Sequence, residues 1–471
     1  VAKPDLRLMA AVSLGRLAGA SSRRLGLGGG TTLPGDVARA IDPRVLSKLT
    51  STVASGTVLV TGTNGKTSTA AMLRAILSAT GLRVGGNPSG SNLVFGLTAA
   101  AIDQATAACT LPVDWLVLEV DELSSPQAVA EVRPQGLIVL NAFRDQLDRS
   151  FEVDQVSARL KEAVGKLPES SFWVGNADDP RVAVIGSGED GTPSRPGILF
   201  GLDDSSVAHA SLPVVADARV CPRCRGELEF TEVYYAHCGT YHCQICDFAR
   251  PRPQLRATQI VTSGLDSLSM VLAEADDRST PVSVPLGGVY HAANVAAAFA
   301  AAIAMGVDRD RAAAALAVFR PVFGRSQLAL WEGAEIRLLL AKNPAGMGEN
   351  LAAVLDLDRS PVIAIALNDG IADGRDISWI WDVELERIAG SRDLFVVASG
   401  TRARDLALRL TYAGVDSTRI RVCPEPSQAL STLAEMATPG VPAPAMLTYT
   451  AMLGWHRQLV QAGSIRPFWD S

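Results

Sequence analysis

The sequence predicts an α/β protein: a parallel, doubly wound sheet with a phosphate-binding loop, an inserted four-cysteine module and a second, smaller Rossmann-like domain. Three observations carry this. Short apolar runs alternate with helical patterns. A Gly-rich loop joins the first of those runs to a helix. A segment of paired cysteines then interrupts the rhythm, which later resumes.

The 471 residues exceed what one compact core accommodates, so two or three domains are expected. With 48% hydrophobic and 20% charged residues, the composition is that of an ordinary globular protein. A net charge of −6 gives no global reason to expect nucleic acid as a partner. No run of about 18 apolar residues occurs, so no transmembrane segment is expected. The apolar stretch 6–17 is cut by Arg16 and followed by Arg23 and Arg24. It reads as an amphipathic helix rather than a secretion signal, which makes a cytoplasmic protein the default.

Residues 1–50 read as helical segments around the break Gly26-Leu27-Gly28-Gly29-Gly30. The β-branched run 57–61 is a buried strand, and a helix follows over about 66–80. Further strands are expected at 115–120 and 136–141. The cysteine segment, 217–252, has the look of an insertion. An Ala-rich helix over about 291–305 resumes the pattern, and a second break falls near Phe323-Gly324-Arg325-Ser326. Beyond it, strands are expected at 336–340, 362–367 and 394–398. Pro439, Pro442 and Pro444 mark a turn-rich connection. The expected domains are 1–50, a central unit 51–327 carrying the insertion 217–252, and a final unit 328–471.

The loop Gly62-Thr63-Asn64-Gly65-Lys66-Thr67 lies between strand and helix, where backbone N–H groups and the helix dipole favour phosphate. Lys66 would reach the β and γ phosphates and the Thr67 hydroxyl would ligate Mg²⁺. Two residues separate Gly62 from Gly65, whereas the general Walker pattern has four, so this is a shorter variant. After the strand 115–120 comes Asp121-Glu122-Leu123-Ser124-Ser125. Carboxylates at the C-terminal end of a strand face the ligand side of such sheets. Glu122 is therefore the second Mg²⁺ candidate. ATP and Mg²⁺ are the expected cofactors of this site.

Seven cysteines are present, five of them within 26 positions. Cys221, Cys224, Cys243 and Cys246 form C-x₂-C-x₁₈-C-x₂-C. Two such knuckles bring four thiolates around one Zn²⁺, and a site filled by four thiolates is structural. Cys238, His237 and His242 are nearby alternatives for any one ligand. Arg223, Arg225, Arg250 and Arg252 are the only basic support for a nucleic-acid role.

The motifs Thr-Gly-Thr-Asn-Gly-Lys-Thr, Glu-Val-Asp-Glu-Leu-Ser-Ser, Asn141-Ala-Phe-Arg144-Asp145-Gln146-Leu147-Asp148 and Tyr290-His291-Ala-Ala-Asn294 occur in that order. The stretch 50–327 thereby resembles the central domain of Mur ligases. That family phosphorylates a carboxylate with ATP and lets an amine attack the acyl phosphate. The resemblance implies that Asn294 contacts the nucleotide and that Arg325 lies at the hinge into the last domain. Gln146 stands where many Mur ligases have a metal-site His.

The last domain carries Ala341-Lys342-Asn343-Pro344-Ala345-Gly346. Further on, the segment 368–382 (NDGIADGRDISWIWD) packs four aspartates and two tryptophans into fifteen positions. Four acids so close cannot all be buried and ionised, so some face solvent, a metal or a partner. Together with the cysteine insertion, this segment resembles the MurT family, the Mur ligase-like subunits of lipid II isoglutaminyl synthases. The resemblance implies a separate GatD-like glutaminase that supplies ammonia. It also implies amidation of the D-glutamate α-carboxylate of lipid II to D-isoglutamine, at the inner face of the membrane. By the same resemblance Asp376 orients a histidine of the glutaminase, with Asp373 and Asp369 as fallbacks. The chain has five histidines and no cysteine in a nucleophile-elbow context, so it carries no glutaminase of its own. Two other readings compete: a stand-alone Mur or folylpolyglutamate-type amino acid ligase, and a nucleotide-dependent nucleic-acid-binding protein with a zinc ribbon.

Overall fold

The computed structural model describes residues 5–24, 32–87, 90–144, 153–186, 197–210, 212, 216–320, 325–355, 360–391 and 393–466. The Gly26–Gly30 break, Gln146 and the pair Phe323-Gly324 lie outside them, as does the side chain of Arg325.

A nine-stranded sheet organises the first two thirds of the chain. Its spatial order is Ser279–Val284, Ser267–Glu274, Leu255–Ser263, Ile198–Leu202, Phe172–Asn176, Gly136–Val139, Gly56–Thr61, Trp115–Glu119, Val84–Gly86. The strand Gly56–Thr61 is buried along its whole length, between Gly136–Val139 and Trp115–Glu119. Its side chains alternate between two cores, as strand geometry requires. Val58 and Val60 face one core with Met72, Leu73 and Phe299. Leu59 faces the other with Leu97, Leu116 and Leu118. Helices Lys66–Ala79 and Val289–Ala304 cover the first face. The alanines of the latter let it lie close to the sheet and stay buried for most of its length. Helices Leu6–Arg24, Leu33–Ile41, Val45–Thr50 and Val94–Gln104 pack together over the second core.

One sequence expectation changes here. The sheet is mixed rather than parallel: Leu255–Ser263, Ser267–Glu274 and Ser279–Val284 form an antiparallel meander at one edge. Their connections of three and four residues are too short for a parallel crossover. The alternating burial of Ser279–Val284 was visible in the sequence as alternating residue types but was not read as a strand. The cysteine segment also has a definite topological place. Ile198–Leu202 and Leu255–Ser263 are parallel neighbours, and the segment is the connection between them. It forms a separate two-stranded hairpin, Leu228–Tyr235 with Cys238–Cys243.

The last third forms a six-stranded sheet ordered Arg325–Trp331, Ala334–Leu340, Ala443–Leu447, Val362–Ala366, Phe395–Ser399, Ile420–Val422. All its pairings are parallel except the first. Pro444, expected in a turn, sits inside a central strand. It is tolerated there because pairing with Val362–Ala366 starts one residue later, at Ala445. Among the described residues no helix is long and apolar enough to cross a membrane.

Candidate nucleotide site and acidic loop

The phosphate loop is held by its neighbours as well as by its own turn. Asn64 N–H donates to Asn141 Oδ1 at 2.8 Å, and Asn141 Nδ2 donates back to Asn64 O at 3.0 Å. The Thr63 hydroxyl donates to Phe143 O and accepts from Phe143 N–H, both at 3.0 Å. The loop and the exit of strand Gly136–Val139 thus form one unit. Gly62 and Gly65 adopt φ +130° and +90°, a region open to glycine. A Cβ on Gly65 would lie 2.2 Å from Asn294 Oδ1, so the predicted nucleotide residue Asn294 packs directly on the loop.

Two side-chain pairs define the chemistry. Lys66 Nζ is 3.0 Å from Glu122 Oε2, and it also donates to Thr63 O at 3.2 Å. The Thr67 hydroxyl donates to Glu119 Oε2 at 2.8 Å. All four side chains are buried. Burial alone would raise Glu122, but the charges of Lys66 and Lys342 outweigh it and hold the carboxyl below its ordinary value. Burial and the charge of Glu122 push the neighbouring Asp121 up. The arrangement is a cation beside an anion at the helix N-terminus, with a hydroxyl–carboxylate pair one residue on. Such a donor set suits a phosphate chain and one hard divalent ion.

The last third of the chain closes this site. Asn343 Nδ2 donates to Asn64 Oδ1 at 2.9 Å, and Asn64 Nδ2 donates to Asn343 Oδ1 at 3.3 Å. Asn343 Oδ1 also accepts from Gly346 N–H at 2.8 Å, which ties it to the start of helix Pro344–Leu355. Between the two units lies a cleft. Asn64 and Gly65 line it from the loop, Ser68 from the helix that follows, His291 and Asn294 from the Ala-rich helix, and Lys342, Asn343 and Glu349 from the last unit.

The four paired cysteines converge. Cys221 Sγ lies 3.7 Å from Cys246 Sγ, and Cys224 Sγ lies 3.4 Å from Cys243 Sγ. The sulfurs of a tetrahedral Zn–S₄ centre with about 2.3 Å bonds are roughly 3.8 Å apart, so the spacing fits. Backbone N–H groups of Arg223, Gly226 and Ile245 each approach a sulfur at 3.4 Å. N–H donation from Cys246 and Ile245 brings the Cys243 thiol down to about 6. His237 and Cys238 do not belong to this cluster. They sit at the opposite, closed end of the hairpin, buried with Asp179. Asp179 accepts from Ala142 N–H and caps a short helix through Arg181 N–H, and the His237 ring packs edge-on to Phe143. His242 is half-exposed beside Glu229.

The segment 368–382 separates its four aspartates sharply. Asp369 is paired with Arg402 at 2.8 Å. Asp373 is buried and accepts from Thr450 N–H at 2.8 Å and from the Thr450 hydroxyl. Asp382 is 3.2 Å from Arg144. Asp376 is exposed, and Oδ1 accepts from Ser378 N–H at 2.8 Å. Donation from the Ser378 hydroxyl and N–H holds Asp376 below the usual carboxylate range. Trp379 anchors the segment in the core, whereas Trp381 is exposed beside Tyr412 and under Arg409.

Comparison with known proteins accounts for both halves. Residues 60–218 match the Mur ligase middle domain and residues 340–452 match the MurT ligase C-terminal domain. The MurT subunit of the lipid II isoglutaminyl synthase (glutamine-hydrolyzing) of Staphylococcus aureus strain N315 is 32% identical over 414 residues, 87% of this chain and 89% of that protein. The chain belongs to the MurT family. Its counterpart in Streptococcus pneumoniae is 30% identical over 460 residues, 96% of this chain and 98% of that protein. In fold, this MurT-family chain is similar to a pseudomurein peptide ligase type C from Methanothermus fervidus. The TM-score is 0.65 at 22% identity, covering 90% of this chain and 81% of that one. MurF from Acinetobacter baumannii gives 0.63 at 16% identity, over 90% and 80%.

Within this MurT-family fold, Asn294 and the loop residues lie together. Arg325 begins the strand Arg325–Trp331, at the junction between the two sheets. Sequence reasoning missed Glu119 and Asn343. Glu119 stood within the apolar run 115–120 and opened the motif Glu-Val-Asp-Glu-Leu-Ser-Ser, but no role was assigned to it, although a carboxylate directly after four apolar strand positions was a usable signal. Asn343 is 279 positions from Asn64, and no local pattern pairs them.

Proposed function

We propose that this chain is the ATP-dependent synthetase subunit of a lipid II isoglutaminyl synthase, amidating the D-glutamate α-carboxylate of the stem peptide with ammonia from a GatD-like glutaminase. It acts at the inner face of the membrane. The observation that carries the reading is the pairing of Lys66 with Glu122 and of Thr67 with Glu119 at the mouth of a cleft closed by Asn343.

Gly62, Thr63, Asn64 and Gly65 shape the loop so that the N-terminus of helix Lys66–Ala79 offers backbone N–H groups to a triphosphate, and Lys66 neutralises charge on the transferred group. Phosphoryl transfer of this kind needs positioning and charge neutralisation more than covalent help from the protein. Thr67, with Glu119 and Glu122, would hold Mg²⁺, which supplies further charge neutralisation between phosphates. Asn294 contacts the nucleotide, a reading supported by its packing on Gly65, and Arg325, first residue of the strand Arg325–Trp331, is the hinge. The activated carboxyl is an acyl phosphate, and ammonia displaces its phosphate. Cys221, Cys224, Cys243 and Cys246 would hold Zn²⁺, which supplies structural cross-linking at the open end of the hairpin.

The working units are the helical segment 1–50, the central unit 51–327 with the zinc-ribbon insertion 217–252, and the Rossmann-like unit 328–471. Asp376 is the carboxylate offered to the glutaminase histidine. Three of the four neighbouring aspartates are engaged within the chain and Asp376 is exposed, which supports this choice. A carboxylate in that place fixes the histidine tautomer and stabilises its protonated form. Exposed Trp381 and Tyr412, packed against each other, and exposed Ile371 of the same segment supply apolar anchors for the partner.

The test is lipid II amidation by the chain with and without co-expressed glutaminase, fed with glutamine or with ammonium. Ammonium alone suffices for the isolated chain, and glutamine serves only the pair. Asp376→Asn abolishes the glutamine-dependent reaction and spares the ammonium-dependent one. Loss of both together sinks the partner role of Asp376.

A further inference from the structure

Glu349 takes no part in the chemistry above, yet it lies in the wall of the cleft. It projects from helix Pro344–Leu355 of the last unit, and Oε1 accepts from Ala236 N–H at 2.8 Å. Ala236 belongs to the closed turn of the cysteine hairpin, so this contact joins that turn to the last unit. Tyr235 lines the cleft beside it, and Tyr290 donates from its hydroxyl to Asn350 Oδ1 at 3.2 Å. The cleft runs from the phosphate loop to this group, so a nucleotide with phosphates on Lys66 has its base toward Glu349.

We infer that Glu349 reads the edge of the nucleotide base and selects adenine over guanine. The inference rests on the ATP reading proposed above and adds the residue that sets base preference. A neutral carboxyl presents an acceptor and a donor side by side. Oε1 keeps a second lone pair after accepting from Ala236, and Oε2 carries the proton. Adenine offers the complement, the N6 amine as donor and N1 as acceptor. Guanine in the same orientation sets its O6 acceptor against the Oε1 acceptor and its N1–H donor against the Oε2 proton, whereas its N1–H and N2–H₂ groups suit an ionised carboxylate with two acceptors. Selection for adenine therefore requires the carboxyl to stay neutral.

The surroundings favour that state. Burial pushes Glu349 up to about 7, against donation from Ala236 N–H and the charge of Arg387. The other titratable or charged groups around it are Tyr235, Cys238, Tyr290, His291 and Lys342. Burial raises Tyr235 and Cys238 well above their usual values, so both remain neutral at pH 8.5.

Calorimetric titration of the full chain with Mg²⁺ and either AMP-PNP or GMP-PNP tests this. Both probes carry the same phosphates, so the ratio of their dissociation constants isolates the base. With a midpoint of about 7, the neutral fraction falls from roughly nine tenths at pH 6 to about 3% at pH 8.5, about thirtyfold. The wild-type preference for AMP-PNP should fall by at least about tenfold over that range. Glu349→Gln retains a donor and an acceptor, so it keeps the preference and flattens its pH dependence. Glu349→Ala should bring the two nucleotides within about threefold of each other. A pH-independent wild-type ratio overturns the inference, as does an unchanged ratio in Glu349→Ala. A pH slope that survives in Glu349→Gln has another source and overturns it too. Failure of the wild-type chain to bind either probe overturns the ATP reading itself, which is a distinguishable result.

Discussion

Replacing Lys66 by Met tests the electrostatics of the phosphate loop in the absence of any ligand. The Lys66 and Glu122 side chains are only 8% and 7% exposed. Methionine keeps most of the stem and removes the charge. Glu122 then stays buried without its nearest cation, and removing one partner of a buried pair costs about 3–5 kcal/mol. Lys342 still faces Glu122, so the lower end, about 3 kcal/mol, is expected at pH 7.5. At roughly 2–4 °C per kcal/mol, the thermal midpoint should fall by about 6–12 °C.

The pH dependence supplies the decisive sign. In the wild type the folded carboxyl is held below its unfolded value. Its stabilising contribution is present above the ordinary carboxylate range and is lost as acid takes the pH down through the lowered value. In the variant, burial is no longer outweighed by two cations, and the folded carboxyl is raised. The sign then reverses. The variant's deficit is full at neutral pH and shrinks toward pH 5, where the buried carboxyl takes up a proton. Urea unfolding of both proteins from pH 5 to 8 measures this. Adding Glu122→Gln to Lys66→Met should restore stability without restoring amidation. A wild-type midpoint for Lys66→Met at pH 7.5, or a deficit that grows toward pH 5, would refute the reasoning.

Other consequences follow from the same geometry. Glu119→Gln keeps an acceptor for the Thr67 hydroxyl but removes the charge, so the Mg²⁺ concentration needed for half-maximal amidation should rise at least about tenfold with little change in unfolding midpoint. Gly65→Ala places a Cβ 2.2 Å from Asn294 Oδ1 at φ +90°. It should cost about 1–3 kcal/mol in unfolding free energy, and titration with Mg²⁺ and AMP-PNP should detect no binding. Elemental analysis should find one zinc per chain, lost in Cys224→Ser. Stripping it with a chelator should make the hairpin susceptible to proteolysis between 221 and 246 while the Lys66→Met-sensitive transition stays in place. Cleavage unchanged by the chelator would argue against a structural ion.

The phosphate loop and the cysteine pairs were legible because each is contiguous or nearly so. A strand, two glycines and Lys-Thr constrain their own backbone, and C-x₂-C knuckles carry their own N–H donors to sulfur. The six strands read at 57–61, 115–120, 136–141, 336–340, 362–367 and 394–398 were legible for a similar reason, since apolar runs flanked by turns need no partner to be seen, but they are fewer than half of the fifteen in the two sheets. The antiparallel meander 255–284 was not read, because its half-exposed strands alternate residue types instead of forming continuous apolar runs.

By itself, the sequence determined an α/β chain with an anion-binding loop, a four-thiolate cluster and an acidic, Trp-bearing segment in its last third. Tertiary structure decided which partners those groups have. It set Glu119 rather than Glu122 against the Thr67 hydroxyl, and joined Asn64 to Asn343 across the cleft. It engaged Asp369, Asp373 and Asp382 with Arg402, Thr450 and Arg144 while leaving Asp376 exposed. It also carried His237 and Cys238 away from the other cysteines, to the closed end of the hairpin. The physical reason is one of range. A motif's backbone is set by its own few residues, but the charge, burial and hydrogen bonding of a side chain come from whatever packing brings within about 4 Å, however distant in the chain.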